Sequence, residues 1–227
     1  MRTSQIQEEL KKCRRLCREH RIHSHSYFKM IKDDSMQARA VLAWAQQDYH
    51  VSRQFPCLAA ILAARIEDPR IRHPLVANLW EEHGEGDYDL SHVNLFSKLL
   101  ASIAICADEI PPPLPTTLNF IEGQMRLAEN DTLAGLGAFC YGNEFLSLQE
   151  FRPIEEACAR AFPDANLSYF RANREADGRH SHEAEMAILA LCQDEAGVQS
   201  VWRGAEWSLR ARSEFYDGIV QQLSWVG

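Results

Sequence analysis

"YFRANREADGRHSHEAEM" (169–186) is the stretch on which the reading of this chain turns. Asn173, Asp177 and His180 stand at i, i+4 and i+7, so on a helix their side chains leave one face. A helix that holds a metal through this spacing usually reads His, Asp, His. Here the first position is an asparagine, which leaves open a metalloenzyme, a crippled one, or something else.

The surrounding pattern is helical almost throughout. Glycine and proline gather at a few breaks, and no stretch sustains the period-two alternation of a strand. Helices are expected near 3–20, 35–53, 55–66, 70–85, 90–108, 114–128, 131–148, 151–162, 169–194 and 197–223. "DEIPPPLPTT" (108–117) stops one helix and opens another, because three consecutive prolines cannot continue a helix. "ENDTL" and "FPDANL" offer Asp or Asn where helix N-caps belong, and "HGEGDYD" (83–89) is a glycine-rich break. With no internal repeat and no low-complexity tract, the expectation is one all-α, bundle-like domain over residues 1–227.

Composition narrows the classes. The chain has 227 residues, 46% hydrophobic and 25% charged, the mixture of a globular protein with a sizeable core. A net charge of −8 argues against nucleic acid as the main partner. The basic start, "KKCRRLCREHR", reads as a solvated helix face. Seven cysteines, an odd number without a C-x-x-C pair, fit a reducing cytoplasm rather than a disulfide framework. Cys13 and Cys17 are read as structural. No apolar signal segment or membrane span is expected.

Four features could carry chemistry. "NLWEEHGEGDYDLSH" (78–92) ends a helix with Glu81 and Glu82 and supplies His92 as the next begins. Glu144 lies in "LGAFCYGNEFLSL", where a carboxylate is expensive to bury unless paired, protonated or metal-bound. Asp177 and His180 share a helix face, and Asn173 extends it by a turn. Carboxylates and imidazoles converging from separate helices resemble the inward-facing ligands of helical dimetal proteins, and that donor mixture suits iron or manganese better than zinc. The Glu-x-x-His signature of ferritin-like proteins is absent, since neither Glu82 nor Glu144 has a His three residues on.

On these residues the chain resembles the heme-oxygenase-like diiron oxidases, which share an all-helical fold with thiaminase II and pyrroloquinoline-quinone synthase. Their pattern is Glu, a His about ten residues later, a Glu some fifty residues on, and a closing His-x-x-x-Asp-x-x-His. Glu82, His92, Glu144, Asp177 and His180 match it in order; Asn173 stands where the family has His. "HSHSYFKMI", "VLAWAQQDYHVSRQFPCLAAILAARI" and "SEFYDGIV" extend the resemblance over most of the chain. It implies a heme-oxygenase-like helical bundle that binds Fe(II), two ions with one held weakly, at Glu82, His92, Glu144, Asn173, Asp177 and His180. It further implies an oxidase or oxygenase that uses O2 on a small organic molecule such as an amino acid or amine, in a biosynthetic pathway, as a homodimer. Asn173 then ligates iron weakly through its amide oxygen, leaves a position for water or substrate, or marks a site that has lost metal.

Two other readings stay open. Cys140, four residues before Glu144 and so expected on the same helix face, lies where thiaminase II relatives carry a nucleophilic Cys, and Asp48 resembles their pyrimidine-binding Asp, but Val51 stands where they want a Tyr. A metal-free hydrolase or cofactorless oxidase would use Cys140, Asp48 and Glu214. A helical interaction protein with a relic site is the third. Beside the site, Glu81 is read as supporting or solvated, His83 as exposed at the helix end, His182 as pointing elsewhere, and Tyr141 and Tyr169 as core residues near a cleft.

Overall fold

The computed structural model describes residues 1–224, apart from the side chains of residues 175–177. Ten α-helices account for most of the described chain, and no β-strand occurs among the described residues. In order they are α1 (Thr3–Glu19), α2 (Ser26–Met30), α3 (Gln37–Arg65), α4 (Pro69–Glu82), α5 (His92–Ser102), α6 (Pro115–Asn130), α7 (Thr132–Phe139), α8 (Phe145–Ala161), α9 (Ser168–Leu191) and α10 (Glu195–Ser224).

The basic start behaves as a solvated face. On α1 the residues Ile6, Leu10, Cys13 and Cys17 are buried at helical spacing, while most of the lysines and arginines stay outside. Both thiols are lifted by burial, Cys17 to about 12, so they pack as small apolar groups. α3 is the central element and touches α4, α5, α6, α7, α8 and α10. The expected break within it does not occur: Pro56 is accommodated inside one continuous helix. Burial of Trp44, Leu58 and Leu62 on either side of the proline outweighs one lost backbone hydrogen bond.

The sequence also suggests a break between 148 and 151, and there too the chain runs on, with Pro153 inside α8. The actual irregularity is earlier. Cys140–Glu144 form a π turn between α7 and α8, in which the Phe145 N–H bonds back to the Cys140 carbonyl. The extra residue per turn rotates everything beyond it about the helix axis. Asp131 caps α7 as its sequence suggests, accepting from Ala134 N at 3.1 Å. α9 starts differently, with Asn166 rather than Asp164 meeting the first free N–H, that of Ser168.

Two glycines set the closest packing. A Cβ on Gly204 of α10 would fall 1.8 Å from the Ala134 carbonyl oxygen, and one on Gly137 of α7 would fall 2.2 Å from that of Val201. The α7–α10 contact therefore requires bare backbone on both sides. It seats the π turn against α10, where Gly142 faces Ser208. Because the obstacle is backbone, Gly204→Ala should cost roughly 3 kcal/mol, the upper range for overpacking. Urea unfolding of the variant against the parent measures it.

Candidate metal centre

The site is assembled from the last residue of α4, the first of α5, the end of the π turn and the middle of α9. α4 stops after Glu82 because Gly84 and Gly86 take positive φ values of 79° and 96°. A side chain at Gly84 would meet the Asp87 carbonyl at 2.1 Å, so only glycine permits this turn. The turn returns the chain to Ser91, which caps α5, and thus sets His92 beside Glu82 with Nδ1 and Oε1 3.0 Å apart. Glu144, at the end of the π turn, accepts a hydrogen bond from Asn78 Nδ2 at 2.9 Å. The same oxygen lies 3.5 Å from His180 Nδ1. On its far side, His180 Nε2 is 2.8 Å from Glu81 Oε2, which also accepts from Arg179 Nη2 at 2.6 Å.

Electrostatics bind these groups into one system. Burial pushes the Glu144 carboxyl up, although His180 and Asn78 oppose it. Burial pushes both imidazoles down, but their carboxylate neighbours outweigh it. His180 rises to about 9 through Glu144 and Glu81, and His92 rises through Glu82. The cluster holds protons that a buried carboxylate–imidazole set would exchange for a metal cation.

The donor chemistry fits iron. Glu82, Glu144, His92 and His180 are all buried and offer the oxygen and imidazole donors that iron accepts. His180 Nδ1 is a buried nitrogen with no well-aligned hydrogen-bond partner among the described residues, and it faces Glu144. Among the described residues no three such donors close on one point. The Asp177 side chain, the remaining carboxylate of the expected set, lies outside the described residues.

Asn173 stands on the wall of the adjoining cleft, nearly buried, with Nδ2 donating to the Tyr169 carbonyl at 2.8 Å. That bond leaves the amide oxygen as its remaining polar atom. The cleft encloses about 570 Å³ of empty space, the solvent at its mouth included. Glu82, His92 and Glu144 line one end; Val51, Phe55, Phe151 and Tyr169 contribute apolar wall. Also in the lining, Asp48 and Glu150 flank Arg212, whose Nη1 is 2.8 Å from Asp48 Oδ1 and whose Nε donates to Glu150 Oε2 at 3.1 Å. Arg212 also lies over the Phe215 ring at 4.4 Å from its centre.

The expectation that Cys140 shares a face with Glu144 is corrected by the π turn. The thiol is buried, is not among the cleft-lining residues, and points to the Ser181 carbonyl at 3.3 Å. Burial lifts it well above an ordinary thiol, which opposes the thiolate a nucleophile requires. Glu214 also falls outside the cleft lining, while Asp48 is within it. His83 and His182 are exposed as expected. Tyr169 reaches the cleft, and Tyr141 turns its hydroxyl to Glu185 at 2.8 Å.

Asn78, Glu150 and Arg212 were missed by sequence reasoning, yet each left a trace. Asn78 precedes Glu82 by one helical turn. Arg212 and Glu150 interrupt apolar stripes, at Ser208–Leu209–Phe215–Tyr216 on α10 and Leu146–Phe151–Ile154 on α8.

This all-helical architecture recurs in solved structures. A CADD-like protein from Nostoc punctiforme superposes with a TM-score of 0.78 at 15% identity, covering 96% of this chain and 98% of that one. A domain with a heme oxygenase-like fold from Shewanella denitrificans gives 0.74 at 16% identity, covering 99% and 94%. The fold is thus heme oxygenase-like. Residues 42–213 match the family described as iron-containing redox enzymes, and the chain belongs to that family. In sequence it is similar to the 4-aminobenzoate synthase of Chlamydia pneumoniae, 25% identical over 205 residues that cover 86% of this chain and 88% of that one. None of the helices among the described residues is long and apolar enough to cross a membrane.

Arg212→Met strands two buried carboxylates and should destabilise the fold by about 3–5 kcal/mol at neutral pH. Burial already raises both carboxyls with Arg212 in place, and losing the guanidinium raises them further. Folding then takes up protons, so the variant's stability is greatest in acid and falls as pH rises through the raised values. Chemical denaturation of both proteins between pH 5 and pH 8 should show the deficit widening with pH.

Proposed function

We propose that this chain is a nonheme iron-dependent oxidase or oxygenase that uses O2 on a small amine or amino acid in a biosynthetic pathway. The observation that carries the reading is the buried carboxylate–imidazole cluster. In it His180 Nδ1 faces Glu144 without a well-aligned hydrogen-bond partner, while Glu82 and His92 pair at the same end of an apolar cleft.

Glu82, His92, Glu144 and His180 would hold iron, joined by Asp177 and, as a neutral oxygen donor, Asn173. Iron bound there supplies electrons to dioxygen, which otherwise reacts sluggishly with organic molecules. The chain's own residues do the remaining work. Phe55, Phe151 and Tyr169 exclude water beside the donors, and Asn78 fixes one oxygen of Glu144. In the same cleft one guanidinium stands against two carboxylates, a balance that favours a cationic group and therefore an amine substrate over a carboxylate one. Likeness to a protein named 4-aminobenzoate synthase agrees with biosynthetic chemistry on a small amine.

Anaerobic titration of metal-free protein with Fe(II), followed by oxygen uptake with candidate amines, tests the reading. Wild type should bind iron saturably and consume oxygen in an iron-dependent manner. Glu144→Ala should lose more affinity than the roughly 10–100-fold typical of removing a supporting partner. Asn173→His should tighten the weaker position. Absence of saturable iron binding in the wild type, amines present, would remove iron from the reading.

A further inference from the structure

We infer that Glu81 is a positioning residue that selects which imidazole nitrogen of His180 is offered to the metal; the inference rests on the iron reading above. An imidazole that binds a metal through one nitrogen can donate N–H from the other, and the acceptor of that N–H fixes the ring. Glu81 Oε2 stands 2.8 Å from His180 Nε2. Once a cation displaces the second ring proton, that assigns the remaining N–H to Nε2 and frees Nδ1, 3.5 Å from Glu144 Oε1, for the metal. Nδ1 is buried and lacks a well-aligned hydrogen bond, as a nitrogen reserved for a cation would.

The two adjacent glutamates of α4 thereby divide the work. Successive helical residues diverge by about 100°, so Glu82 turns to His92 in the cleft while Glu81 reaches the outer edge of His180. Glu81 is itself anchored. Arg179, half-exposed and one residue before His180, donates to the same oxygen at 2.6 Å. An acceptor held by a second partner orients the ring more firmly than a free carboxylate would.

The test uses full-length metal-free protein and two probes. Zn(II), which is diamagnetic, reports the coordinating nitrogen by ¹⁵N NMR of labelled histidine, with His180 assigned through His180→Gln. Fe(II) affinity comes from anaerobic calorimetry. Wild type should show Nδ1 coordination and a protonated Nε2. Glu81→Gln retains an acceptor oxygen and should keep that nitrogen choice with a small loss of affinity. Glu81→Leu should lose roughly 10–100-fold in affinity and show mixed or Nε2 coordination. Arg179→Gln should lose a few-fold with Nδ1 coordination preserved, and it decides the matter where Glu81→Leu fails to fold by circular dichroism.

Wild-type coordination through Nε2 would overturn the inference. So would unchanged affinity and His180 signals in Glu81→Leu, or, should that variant not fold, unchanged affinity in Arg179→Gln. In those cases wild-type metal binding persists and the iron reading stands. A wild type that binds neither metal overturns the iron reading and the inference together.

Discussion

Buried carboxylates and imidazoles must satisfy one another, and that constraint organises this molecule. An isolated ionised carboxylate in an apolar interior is too costly to persist; it acquires a proton, a partner or a metal. Glu82 takes His92, Glu144 takes Asn78 and faces His180, and Asp48 with Glu150 takes Arg212. The Glu82–His92 pair closes the turn between consecutive helices, and the others tie together elements that are distant in sequence. Both groups of charges line one cleft, so the interactions that tolerate polarity inside the bundle also mark out its binding space.

The geometry of the donor end depends on a departure from regular helix. Without the π turn, Cys140 and Glu144 would share a face and the thiol would approach the cleft. With it, Glu144 enters the cleft while Cys140 packs beside the Ser181 carbonyl. The turn needs support, because its backbone bonds are less favourable than those of an α-helix. That support comes from α10, whose glycine contact with α7 draws the two backbones together. Packing of Gly204 on Ala134 and of Gly137 on Val201 thus reaches the chemistry through the register of one carboxylate.

Much of this was legible in the sequence, for identifiable reasons. Helical periodicity and the absence of strand patterning gave the fold class. Glu82, His92 and Glu144 stood out as a charged residue after a helix, a His at the next helix start and a carboxylate among small apolar residues. What failed was local. Breaks are expected between 53 and 55 and between 148 and 151, where tertiary burial carries the helices through, prolines included. A π turn has no reliable signature, so the facing of Cys140 was misjudged. Arg212 left only a break in an apolar stripe, because its partners, Asp48 and Glu150, lie on α3 and α8, far from it in sequence. Pairings across such separations emerge only when the helices are placed.

Asn173 is where the proposed site departs from the His that the resemblance implies, and its surroundings bear on what an amide there would do. One amide N–H goes to the Tyr169 carbonyl, and because an amide nitrogen has no lone pair to give, the oxygen is the atom that could serve a metal. Exchanging imidazole for amide swaps one neutral donor for another. The charge of the ligand set is unaltered, and with it the balance that offsets a bound dication. What falls is donor strength, since an amide oxygen is a weaker and harder donor than an imidazole nitrogen. A weaker donor at unchanged charge loosens a metal without expelling it, and favours exchange of that position with water or substrate. An asparagine held by its own helix is consistent with a tuned position in a centre that otherwise keeps its carboxylates and imidazoles buried together.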